Sequence, residues 1–258
     1  MFKSKVCYNI NKLYNRDGMR EFFQRVEDKS SVIIEIDLNA YAYSGRNPWL
    51  FSVFIKFDAS DETQSGFEEF LETKESLIIA LEHNDVAKYV GSRAVDGWSE
   101  LYFYAEDSKN LDAIVSKILK SNNYLYESSV VKDNKWDFHH KHLTPTELEQ
   151  CHMESEKIIF MLEEEEDDLE VSRVVEHYIS FEMPTQKNRF LNTLDIEGFQ
   201  LKDEISSDEF ENGIALVKKH KVTREVVKKE IEKLFVEVKK CQGFYEGWST
   251  TLAVEIEE

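Results

Sequence analysis

One order of strand and helix signals runs through this 258-residue chain twice. A doubled pattern constrains the fold strongly, because each copy has to close a core of its own. In the first copy, Trp49–Phe57 is rich in aromatic and β-branched residues and reads as a strand. Gly66–Leu81 reads as an amphipathic helix. Lys88–Arg93 and Glu100–Tyr104 read as strands around the turn Asp96-Gly97, Leu111–Leu119 as a second helix, and Tyr124–Val131 as a closing strand. The second copy repeats that order through Val174–Phe181, Thr185–Asp195, Phe199–Ile205, Gly213–His220, Thr223–Cys241 and Phe244–Thr250.

The helices carry one apolar stripe each. In Ser108–Leu119 it is Leu111, Ile114, Val115, Ile118 and Leu119, with Asp107 or Ser108 as the expected N-cap. In Thr223–Cys241 it is Val226, Val227, Ile231, Leu234, Phe235, Val238 and Cys241, with Thr223 as cap and Gly243 as stop. One-sided helices pack on one face of a sheet, so the expected class is α+β. Ahead of the first copy, Glu21–Val26 and Ser31–Leu38 flank a polar turn and read as a hairpin extending its sheet. Residues 1–18 lack periodicity and read as an N-terminal extension. Leu143-Thr144-Pro145 marks the boundary, with Thr144 capping a helix over Pro145–Leu162. The expected domains are therefore 19–144, with the leading hairpin, and 145–258.

Charge narrows the partner classes. A net charge of −19 repels phosphate backbones and anionic lipid and favours a basic protein surface. Cys7, Cys151 and Cys241 are isolated, which fits neither a disulfide framework nor a zinc knuckle and suits a reducing compartment. Val6–Asn15 is broken by Asn9, Asn11 and Lys12, so no signal-peptide core follows the basic start. No apolar run approaches the length of about 18 residues that a membrane helix needs, and a cytoplasmic protein is expected.

Chemical motifs are sparse. His139-His140-Lys141-His142, near Cys151-His152, has a metal-like composition. Adjacent side chains diverge, though, and no second cysteine pair completes a tetrahedral set, so a polar strand end leading into a loop is expected. Glu163–Asp168 lacks the alternating ligands and glycine of a calcium loop and reads as a fraying, solvated charge run. Glu176 and His177 point to opposite faces of a strand and cannot serve one site. No nucleophile elbow, phosphate-binding loop or dinucleotide fingerprint occurs. Lys218–Lys240 reverses the charge locally, with nine Lys and Arg against four Glu. It reads as a solvent face paired with acids, or as a patch for RNA. The RNA-recognition run [KR]-G-[FY]-[GA]-F-V-x-[FY] is absent, and Gly213–Val217 offers no aromatic for stacking. Tyr102 and Tyr104 share one strand face without basic neighbours.

A set of residues in the second half carries a family likeness. The acidic segment ends Asp167-Asp168-Leu169, followed by Val175-Glu176-His177-Tyr178 with Phe181. Phe190, Leu194 and Gly198-Phe199 come next, then Gly243-Phe244-Tyr245-Glu246-Gly247-Trp248. In this order and spacing the segment from Leu162 onward resembles the bacterial RraB family, protein inhibitors of ribonuclease E activity. Upstream, Gly91–Arg93, Glu100–Ala105 and Trp136 with Leu143 and Pro145 are similar to an uncharacterised bacterial domain often fused ahead of it. The resemblance implies a ferredoxin-like fold, no catalysis and inhibition by protein–protein contact. Together with the doubled order it gives two ferredoxin-like βαββαβ sandwiches, antiparallel sheets with helices on one face.

The expected function is a non-catalytic acidic regulator that binds and inhibits a ribonuclease E-like nuclease through a basic surface of that partner. Glu163, Glu164, Glu165, Glu166, Asp167 and Asp168 would steer association. Tyr178, Tyr245 and Trp248 would be anchors if exposed, because interface energy concentrates in aromatic and Arg side chains; if buried, they are core. No catalytic, cofactor or metal residue is expected, and no direct nucleic-acid or membrane contact. The alternative is an RNA-binding module using Lys218–Lys240 and the open sheet faces, and a metal or hydrolase role for the histidines is a further rival.

Overall fold

The computed structural model describes residues 20–57, 63–192, 194, 196, 198–206 and 212–253. The extension over 1–18, Cys7, and Asp195 at the end of an expected helix lie outside the described residues. The chain divides into two compact units, Met1–Thr144 and Pro145–Glu258.

In the first unit the elements are β1 (Arg20–Glu27), β2 (Ser30–Asp37), β3 (Trp49–Lys56), α1 (Gln64–Glu82), β4 (Ala87–Val95), β5 (Trp98–Ala105), α2 (Leu111–Ser121) and β6 (Tyr126–Lys132). They form a six-stranded sheet of order β1-β2-β4-β5-β3-β6, with antiparallel pairings. Its last four strands have the ferredoxin-like arrangement, and the hairpin joins through Ile33–Ile36 on Gly91–Ala94. Both hairpin turns are two-residue turns with positive φ, at Asp28-Lys29 and at Asp96-Gly97, whose twist suits the strands they join. The core sets Phe51, Val53, Ile55, Leu101 and Phe103 against Leu77, Ile78, Leu81, Val115 and Leu119. The α2 cap differs from expectation. Asn110, in the left-handed region, starts the helix without a side-chain cap bond, and Asp107 instead accepts from the Lys109 N–H.

Helices α1 and α2 pack on one face of this sheet as expected, and the opposite face carries an additional cover. After β6 the chain folds back across β2, β4 and β5. Trp136 is fully buried, stacks on Tyr104 with ring centroids 4.0 Å apart, and donates through Nε1 to the Asn47 carbonyl at 2.8 Å. The Tyr104 hydroxyl donates to Asp133, whose carboxylate also accepts the N–H groups of Asp137 and Phe138. Phe138 packs on Tyr102, so both tyrosines of that face are covered. His139–Leu143 is a π-helical turn with His139 and Leu143 buried, not a polar strand end.

In the second unit the elements are α3 (Glu147–Glu164), β7 (Arg173–Phe181), α4 (Pro184–Asn192), β8 (Gln200–Ile205), β9 (Gly213–His220), α5 (Arg224–Lys240) and β10 (Gly243–Thr250), with sheet order β10-β7-β9-β8. The α3 cap is Thr146, two residues beyond the expected Thr144. Its hydroxyl accepts the Glu149 N–H while the Glu149 carboxylate accepts the Thr146 N–H, a reciprocal capping box. Thr223 occupies the α5 N-cap position without a side-chain cap bond. The residue ending α5 in the left-handed region is Gln242, and Gly243 already belongs to β10. Glycine is required there for another reason, since a Cβ would sit 2.5 Å from the Phe181 ring. Ile159 and Leu162 of α3, Phe190 of α4, and Val227, Ile231, Leu234 and Val238 of α5 share one core with Val175, Ile179 and Leu216 of the sheet.

Candidate functional site

The acidic run splits into structural and free carboxylates. Glu163, in the last turn of α3, takes a two-pronged hydrogen bond from Arg224, at 2.6 and 2.8 Å, which holds its carboxyl below the usual range. The Asp167 side chain is inaccessible, pairs with Arg173 and accepts the Ala253 N–H at 3.2 Å. Asp168 accepts the Glu170 N–H through its side chain and an Arg173 hydrogen bond through its carbonyl. These three residues tie the loop to α5, β7 and the chain after β10, so the expectation of a uniformly frayed run fails at them. Glu164, Glu165 and Glu166 remain exposed, and among the described residues none has an ion-pair partner. They sit where the α3 carbonyls point outward, with no basic residue in the last turn. A helix C-terminus is already negative, so three free carboxylates concentrate negative potential at that end.

The aromatic candidates separate by face. Tyr178 lies on the sheet face away from the helices, half-buried, with its hydroxyl 2.8 Å from Ser249 Oγ. Beside it on that face Lys202 pairs with Glu176 and Ser180 donates to Glu246. Tyr245 and Trp248 are 8% and 4% exposed and belong to the core, so they take the buried alternative. The Trp248 indole donates to Ser155 of α3 at 2.9 Å. Three residues apart on a regular strand, these two rings would face opposite ways. A bulge between Tyr245 and Gly247, with Gly247 at φ +133°, puts both on the helix side. That glycine is the sequence signal the periodicity reading passed over.

The basic run Lys218–Lys240 is largely neutralised. Lys218 and Lys233 bind Glu230, Lys221 binds Glu170, Arg224 binds Glu156 and Glu163, Lys239 binds Glu147, and Lys240 binds Glu237. The acids come mostly from α3 and the loop after it, so the run reads as a paired solvent face. Arg173 and Arg224 were not singled out in the sequence, because nothing local marks an arginine whose partner lies on another element.

Within each unit the histidines build no metal-like set among the described residues. His177 is fully buried, with Nδ1 2.9 Å from the Tyr245 hydroxyl and Nε2 3.2 Å from His220 Nε2. Burial pushes it down to about 3. Glu176 faces the other way and is paired with Lys202, so the two neighbours form no common site. Burial likewise lowers His139 to about 4, while His140 packs edge-on to Tyr41 and His142 stacks on Phe138. Among the described residues no group of three or more His, Cys, Asp or Glu is placed to hold a metal ion. No described helix is long and apolar enough to cross a membrane.

Residues 152–250 match the family model described as regulator of ribonuclease activity B, RraB. Residues 20–144 match a family of unknown function, DUF695. A search of curated proteins gave no match.

Proposed function

From a chain that carries an RraB domain at 152–250 behind a DUF695 domain at 20–144, we propose a non-catalytic regulator that binds a ribonuclease E-like nuclease and inhibits it by protein–protein contact. The observation that carries this reading is the α3 end, where Glu164, Glu165 and Glu166 stay free while their neighbours are used structurally. A basic partner surface would relieve the repulsion there, and the gain would appear chiefly in association rate. Tyr178 is the aromatic candidate left for anchoring. The RNA-binding alternative loses its principal feature, because the cations of Lys218–Lys240 are largely occupied by carboxylates.

The test is a binding and inhibition titration of full-length chain against purified ribonuclease E at increasing salt, with short mixed RNA as a parallel ligand. The expected result is inhibition with affinity falling as salt rises. Replacing Glu164, Glu165 and Glu166 by Gln should slow association by roughly 10-fold. Salt-indifferent affinity would remove the electrostatic mechanism, and RNA retardation without nuclease binding would replace the reading altogether.

A further inference from the structure

The hydrogens around His177 have one consistent arrangement. The Lys221 carbonyl can only accept, so His220 Nδ1, 2.6 Å away, carries a hydrogen. In the neutral ring His220 Nε2 is then bare and accepts, and His177 Nε2, 3.2 Å from it, donates. His177 Nδ1 is therefore bare and accepts from the Tyr245 hydroxyl at 2.9 Å. The chain runs in one direction from Tyr245 on β10 through His177 on β7 and His220 on β9 to the Lys221 carbonyl. It closes only while both imidazoles are neutral.

We propose that this chain is an acid-sensitive switch in the fold of the second unit, in which protonating either imidazole opens the seam joining β10, β7 and β9. A second hydrogen on His220 would either set two N–H groups against each other or drive the His177 hydrogen onto Nδ1, which leaves the Tyr245 hydroxyl hydrogen without an acceptor. One on His177 Nδ1 would leave the Tyr245 hydroxyl hydrogen without an acceptor in the core. Burial is what opposes the charge most. The Lys221 carbonyl and Glu230 on α5 favour a cation at His220, while Lys218 on β9 and Lys233 on α5, both bound to that same Glu230, oppose it. Arg173 on β7 lies across the ladder from His220. The Phe199 ring edges against His177, and α3 contributes Cys151, neutral because burial pushes its thiol up to about 11. Desolvation lowers both imidazoles, His177 to about 3. The unfolded chain takes up protons near pH 6.5 and the folded unit does not. The stabilisation is therefore complete above about 6.5 and is lost as pH falls from there toward 3.

Two measurements on the full-length chain test this. The unfolding equilibrium in urea, followed at the indole of Trp248, should shift toward unfolding by about 25-fold between pH 7 and pH 5 through His177 alone. Nitrogen NMR at pH 7 should show His177 as the Nε2–H tautomer and His220 as the Nδ1–H tautomer, a readout that requires no variant. In His177→Gln the 25-fold component should vanish. A wild-type equilibrium flat between pH 7 and 5, opposite tautomers, or a folded His177 titrating near 6.5 would each overturn the switch.

Discussion

The two units use the same four-strand order but finish their sheets in different ways. In the first, the segment after β6 returns across β2, β4 and β5 and seals a second face with Trp136, His139 and Leu143. In the second, α3, α4 and α5 share one face, and the opposite face presents Val174, Glu176, Tyr178 and Lys202 without a covering element of that unit among the described residues. Polar interiors differ as well. The first unit buries Lys74 against Glu35, with Ser92 bonded to both beside the Gly91 bulge. The second buries a neutral histidine pair. The first unit thus covers much of its second sheet face with its own chain, whereas the second leaves that face without a cover of its own among the described residues and keeps free carboxylates at a helix end, the pair of features on which the proposed contact rests.

Mutation can break that contrast. The largest effect is expected for Trp136→Ala, which empties the seal over β5 and removes the bond to Asn47. It should cost about 4 kcal/mol in the first unit and leave the Trp248 signal of the second unchanged. A cost below about 1 kcal/mol would mean that the return segment merely rests on the sheet. Arg173→Met should cost on the order of 3 kcal/mol by leaving Asp167 buried without its cation, read in urea unfolding of the second unit. A near-neutral result would restore the view of the acidic run as a solvated loop. Gly243→Ala should cost about 2 kcal/mol through the collision with Phe181. The smallest change is expected for the Glu164, Glu165 and Glu166 to Gln triple variant, which relieves repulsion at the end of α3. Its unfolding free energy should hold or rise slightly, by less than about 1 kcal/mol, while nuclease association slows. A destabilised triple variant would show that these carboxylates are structural like Glu163.

Several site features were visible in the linear pattern, and their gaps have identifiable causes. The stripes Leu111–Leu119 and Val226–Cys241 gave α2 and α5 because period 3.6 reports which face is apolar. The turn Asp96-Gly97 gave β4 and β5 because few residues tolerate positive φ. The caps slipped by two or more residues at Thr146 and Asn110, since several nearby polar side chains satisfy the same local preference and packing selects among them. Trp136 looked like a family marker, but its role as a second-face seal needed Asn47 and Tyr104 brought in from distant strands. Tyr245 and Trp248 looked like possible anchors until one bulge turned both inward.

The sequence alone determined the repeated strand and helix order, the acidic balance and the want of a familiar reaction motif, because periodicity, charge and spacing are local or additive properties. The tertiary structure decided which carboxylates are free, which aromatics are buried and which lysines are already neutralised. Those outcomes depend on partners far apart in the chain, and only folding brings Arg224 to Glu163, Arg173 to Asp167 and Trp248 to Ser155.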